Sequence, residues 1–174
     1  MTNSSFFKKF FILEIIIVLF VIAFDLFLKA YSEFNYQGMS VPLIKGIVNL
    51  TYVENSGAAF GMLQNQQLFF KILTIIALGV FMYILYKNKN GNILLKISLA
   101  LIIGGTTGNF IDRVKLNYVR DMIELKFIDF AVFNIADSAL TIGVILFAIY
   151  YIFIYKEPAT IKKADAVKDN SENE

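Results

Sequence analysis

Asp121 and Asp137 are the residues of this chain whose type and setting best support chemistry. Neither histidine nor cysteine occurs in its 174 residues. The commonest general base, the Ser-His-Asp and Cys-His nucleophilic arrangements, thiolate metal sites and disulfides are therefore excluded. Hydrolytic chemistry would have to run on carboxylates, Lys, Tyr or Ser. Asp121 sits in the apolar stretch VRDMI (Val119–Ile123), and Asp137 follows Asn134 by one turn in FNIADS (Phe133–Ser138). Two carboxylates held close together cannot both ionise, so they share a proton. The charged one can take a proton from water as the water attacks a peptide carbonyl, while the protonated one donates to the carbonyl oxygen. That is aspartic-protease chemistry, and it needs no metal or cofactor. A plainer role competes: an Asp at a helix start is often only its N-cap, and sequence spacing does not show that the two residues meet.

Other polar residues have the spacing of a supporting network. Asn109, Asp112 and Arg113 fall at i, i+3 and i+4 in GGTTGNFIDR (Gly104–Arg113), on one helical face. Asp112 and Arg113 suit charge-assisted hydrogen bonds to neighbouring loops better than direct catalysis. Gly104 and Gly108 form a GxxxG pair, which lets helices pack closely in lipid. Asp25 and Lys29 stand at i and i+4, acid before base, the favourable order for a helical ion pair. They are expected to anchor a helix end at the membrane interface or to contact substrate. In YVENSGAAFG (Tyr52–Gly61), Gly57 and Gly61 bracket two alanines and admit a close backbone or a tight turn.

The elements that must position these residues are membrane helices. The chain is 57% hydrophobic, against about 45–50% in an ordinary soluble domain, and the excess lies in long runs. A spanning helix needs about 20 apolar residues, and four segments qualify, at about 10–28, 68–86, 93–111 and 138–155. The expected fold is all-α and membrane-embedded, with a small β-sheet and loop region between the first two helices. Ser40–Asn55 is rich in β-branched residues and carries Pro42 and Gly46, which reads as short strands. Lys8 and Lys9 before an apolar run suggest a secretory signal, but the run is too long, no cleavage site follows, and Asp25 and Lys29 interrupt its end. Residues 1–158 are expected to form one domain, and 159–174 a disordered cytoplasmic tail. Lys and Arg placement favours both termini in the cytoplasm and Asp112–Asp137 on the outer face. The net charge of +2 says nothing of nucleic acid, and none is expected as a partner.

Intramembrane carboxylates also serve ion-coupled transporters. Transporter sites, however, usually lie at the midplane between broken helices, and these acids gather at one face. An assembly subunit, with polar residues gluing helices together, is the third possibility.

Five motifs in register add a family resemblance. Asp25-x-x-x-Lys29, NSGAAFG (Asn55–Gly61), GNFIDR (Gly108–Arg113), VRDMI and FNIAD (Phe133–Asp137) together resemble the bacterial lipoprotein signal peptidases, signal peptidase II. The resemblance runs from about Asp25 to Leu146. It implies that Asp121 and Asp137 are the catalytic pair and that Asn55, Asn109, Asp112, Arg113, Asn134 and Ala136 line or support the site. Asp25 and Lys29 would be outer-end supports. It implies a strand-rich loop lying on the membrane surface of a bacterial cytoplasmic membrane. The substrate would be a prolipoprotein whose cysteine carries diacylglycerol, cut just before that cysteine. Membrane lipid would be the other partner, and the enzyme a monomer. Met122 stands where the family often has Phe, and DLFLK lacks the polar residue usual after its Asp.

Overall fold

The computed structural model describes residues 3–58 and 62–155, with side-chain burial from residue 12 onward. Lys8, Lys9, Gly61 and the tail expected to be disordered fall outside what it describes in this detail. Helix α1 is Asn3–Tyr36, α2 is Gln67–Lys87, α3 is Ile93–Lys115 and α4 is Ile135–Ile149, which continues as a π-helical turn over Tyr150–Ile154. Among the described residues, three helical segments are long and apolar enough to cross a membrane: Gln67–Lys87, Ile93–Lys115 and Ile135–Ile154.

Central in the bundle is α3, which packs against α1, α2 and α4. Small residues make that possible. A Cβ on Gly104 would lie 3.0 Å from Val21 Cβ, and one on Gly143 would lie 2.8 Å from Ser98 O. A Cβ on Gly105 would strike the Ala136 carbonyl oxygen and the Leu140 nitrogen. Gly104 and Gly108 thus permit close helix packing as their spacing suggests, Gly104 against α1 and Gly108 against both α1 and α4. On α1 the buried residues are Glu14, Val21, Asp25, Lys29 and Ser32, a stripe at helical spacing that turns toward the bundle. Four of these five are polar.

A three-stranded antiparallel sheet caps one end. Strand β1 is Val41–Ile44, β2 is Val48–Asn55 and β3 is Val119–Leu125, in the order β1-β2-β3. Gly46, at φ +76°, makes the β1–β2 turn, and Pro42 lies on the edge strand, the position in a sheet that tolerates proline. Only two strands come from the α1–α2 connection. The third belongs to the α3–α4 connection, whereas the sequence suggests strands between the first two helices alone. Its alternation is masked by Met122, which is 1% exposed between buried Asp121 and half-buried Ile123.

Candidate active site

Pairing of β2 with β3 sets Val53 opposite Asp121 and Asn55 opposite Val119. Beyond β3 the chain folds back on itself. The Met122 and Ile123 N–H groups donate to Phe133 O at 3.0 and 2.8 Å, and Phe133 N–H donates to Ile123 O at 3.1 Å. That return places Asn134 beside Asp121 just where α4 begins.

The first turn of α4 is a capping box. Asn134 is the N-cap: its Oδ1 accepts from Asp137 N–H at 2.8 Å, and Asp137 Oδ2 accepts from Asn134 N–H at 3.1 Å. Asp137 is therefore not the cap that its position suggests but the N3 residue, one turn inside the helix. Its other oxygen, Oδ1, accepts from Asn109 Nδ2 at 2.6 Å. Asn134 Nδ2 donates to Asp121 Oδ1 at 2.6 Å, and Asn55 Nδ2 donates to Asp121 Oδ2 at 2.9 Å. Asn134 thus touches both carboxylates, one through its side-chain amide and the other through its backbone and cap.

Both acids line one cavity of about 480 Å³, with Asn55, Asn109 and Arg113 beside them and Phe130, Leu140 and Ile142 on its apolar side. Asp121 is 2% exposed. Burial, and then the charge of Asp137, push its carboxyl up to about 7, against the hydrogen bonds from Asn55 and Asn134 and the more distant charge of Lys29. A carboxyl protonated near neutrality can donate a proton, which a free aspartate cannot.

Behind the carboxylates lies a chain of buried charges. Lys29 and Asp25 are both fully buried and pair at 2.7 Å. They do not anchor a helix end at an interface, because α1 continues to Tyr36. Lys29 Nζ donates to Asn109 Oδ1 at 2.9 Å, the oxygen that also accepts from Asn134 Nδ2 at 3.1 Å. An ammonium only donates, so this contact fixes which end of the Asn109 amide faces Asp137. Asp25 Oδ1 accepts from Ala136 N–H at 2.9 Å. A Cβ on Gly108 would lie 2.7 Å from Asp25 Oδ2 and 3.1 Å from Ala136 Cβ, so α1, α3 and α4 converge there.

Asp112 accepts from Arg120 and lies 3.5 Å from Lys29 Nζ. Arg113 reaches elsewhere: its Nη2 donates to Gly57 O at 3.4 Å, and its guanidinium stands 4.9 Å from the Phe70 ring centroid. Sequence reasoning missed Glu33 and Arg120, which pair at 2.8 Å. Glu33 continues the face of Asp25 and Lys29 at the next i+4 position, a spacing that could have exposed it. Arg120 carries no such signal, because its partners lie on other elements. Among the described residues, no three carboxylates are grouped so as to hold a metal ion.

The chain matches the family described as signal peptidase (SPase) II over residues 17–153. It is 47% identical over 143 residues to the lipoprotein signal peptidase of Streptococcus pyogenes serotype M5 (strain Manfredo), covering 82% of this chain and 92% of the relative. To the lipoprotein signal peptidase of Streptococcus thermophilus (strain CNRZ 1066) it is 48% identical over 130 residues, 74% of this chain and 85% of the other. Two structures described as bacterial membrane enzymes, solved by the in meso method, superpose with TM-scores of 0.75 and 0.74 at 36% and 38% identity. They cover 83% and 82% of this chain and 93% and 94% of their own. A match across most of the chain, joined to close relatives and the same fold, shows that this protein is a member of the signal peptidase II family of peptidases.

Proposed function

We propose that this peptidase cleaves the signal peptide from diacylglyceryl-modified prolipoproteins, just before the lipidated cysteine, with Asp121 and Asp137 as an aspartic dyad. The observation that carries the dyad is Asn134 hydrogen-bonded to both carboxylates on one cavity wall. Asp121 holds the shared proton, in keeping with its burial and the neighbouring charge. Asp137 takes a proton from water as the hydroxide oxygen bonds to the peptide carbon, and Asp121 gives its proton to the carbonyl oxygen. Collapse of the resulting diol breaks the C–N bond. Asp121 recovers a proton from a diol hydroxyl, and Asp137 passes its own to the leaving nitrogen.

The remaining residues have supporting roles in this reading. Asn55, Asn109 and Asn134 aim the carboxylates. Asp25, Lys29, Asp112 and Ala136 hold the helices that carry them, and Arg113 faces the substrate chain. In the membrane, α1 spans as well, making four spans in all, both termini are cytoplasmic, and the sheet lies on the outer surface of the bacterial membrane. Apolar Phe130, Leu140 and Ile142 beside the dyad suit a substrate held at the lipid boundary by its acyl chains. In this reading the enzyme is a monomer.

Purified protein in detergent should cut a diacylglyceryl-modified prolipoprotein and leave its unlipidated form intact, read by gel shift. Equal cleavage of both forms would remove the lipid from the specificity.

A further inference from the structure

Arg120 has no part in the proton transfers just described, yet its side chain makes three hydrogen bonds to carboxylates on two helices. It precedes Asp121 on β3, and its side chain is 13% exposed. Its Nε and Nη2 donate to Asp112 Oδ2 and Oδ1 at 3.2 and 2.8 Å, and its backbone N–H donates to the same Oδ2 at 3.1 Å. Nη1 donates to Glu33 Oε2 at 2.8 Å. One side chain therefore ties the strand bearing Asp121 to α3 and to α1. The Arg120 carbonyl accepts from Asn134 Nδ2 at 3.3 Å, and that nitrogen also donates to Asp121 Oδ1 at 2.6 Å. A two-pronged guanidinium–carboxylate contact fixes direction as well as distance.

We propose that Arg120 is a positioning residue of the dyad, whose clamp by Asp112 and Glu33 fixes the backbone from which Asp121 projects and the carbonyl that seats Asn134. The proposal rests on the dyad reading above. The second carboxylate depends on the same clamp. Without the Arg120 side chain, Asp112, which is 1% exposed, keeps the backbone N–H of residue 120 at 3.1 Å and, as its nearest cation, Lys29 Nζ at 3.5 Å. That ammonium already serves Asp25 at 2.7 Å and Asn109 Oδ1 at 2.9 Å. An uncompensated buried carboxylate pulls strongly on a nearby cation. Lys29 is drawn from Asn109, whose Nδ2 holds Asp137 Oδ1 at 2.6 Å. Loss of Arg120 therefore loosens Asp121 through the strand and Asp137 through Lys29 and Asn109.

The test is steady-state cleavage of a diacylglyceryl-modified prolipoprotein by the purified full chain in detergent, with thermal unfolding of each sample. Arg120→Met should lower kcat about 100-fold with KM nearly unchanged. Arg120→Lys keeps the charge but not the fork, and should lower kcat about 10-fold. Both falls should appear in samples that still unfold cooperatively, since a merely structural role would change the unfolding temperature and leave the kcat of folded enzyme alone. Should Arg120→Met fail to fold, Arg120→Lys decides alone. A kcat for Arg120→Lys within about twofold of wild type, or a rise in KM at constant kcat, overturns the proposal. Wild-type protein that leaves the substrate uncut overturns the dyad reading itself, and the clamp with it.

Discussion

Helices α2 and α3 are nearly equal in length, yet they occupy opposite environments. α2 has a mean hydropathy of 2.4 and buries none of its most apolar window inside the protein; α3 has 1.5 and buries 61%. The less apolar helix is the better buried. In water the order would be reversed, because apolar surface would seek the core. In lipid the outside is already apolar, so the interior is where small residues and paired polar groups gather. α3 supplies Gly104, Gly105, Gly108, Asn109 and Asp112 to the centre, whereas α2 presents Phe69, Ile72, Ile76 and Tyr83 outward. Function follows the same division: Asn109 and Asp112 of α3 lie in the network around the two aspartates, and α2 meets the cavity wall from outside, through the contact of Phe70 with Arg113.

The sharpest way to break this contrast is to add bulk to α3. Gly105→Leu would drive a side chain into the Ala136 carbonyl and the Leu140 nitrogen, so no folded protein should be recovered on size-exclusion chromatography. Next in size is Lys29→Met, which leaves Asp25 and Asp112 without their shared buried cation. It should cost about 3–5 kcal/mol of stability, measurable by unfolding in mixed micelles; a loss as small as that of a surface substitution would contradict the network.

A pH series tests the same interior more gently. Asp121 has its carboxyl raised from 3.8 to about 7, so between those values the folded state binds more protons than the unfolded state. The contribution of this group to stability is therefore full below the unfolded value and lost as pH rises through about 7. Once the dyad loses its shared proton, kcat/KM should fall about tenfold per pH unit above that point. A flat profile to pH 9 would speak against a protonated Asp121. The smallest effect belongs to α2, where Ile76→Ala, at a side chain 58% exposed, should change stability by about 0.5 kcal/mol or less.

Much of this was legible in the sequence. Long apolar runs located α2, α3 and α4, and the i, i+3, i+4 spacing of Asn109, Asp112 and Arg113 showed that they lie close together on one side of α3. Asp25 and Lys29 were recognisable as a pair, but their depth was not, since the apolar run ends before α1 does. Asp137 looked like an N-cap because one-dimensional spacing does not separate the cap from N3; the reciprocal bonds with Asn134 do. Strand β3 escaped notice because its pairing partner lies some 70 residues earlier, at Val48–Asn55. For the same reason the meeting of Asn55 with Asp121, and the clamp on Arg120, could not be read from local pattern.

The central claim is that Asp121 and Asp137 together carry the reaction. It is tested most directly by the turnover of Asp121→Asn and Asp137→Asn beside wild type on a diacylglyceryl-modified prolipoprotein, with each sample's unfolding temperature recorded. Amide replaces carboxylate at nearly the same volume, so folding should persist while turnover falls by about 1,000-fold or more in each variant. Substantial turnover by either folded variant would contradict the dyad.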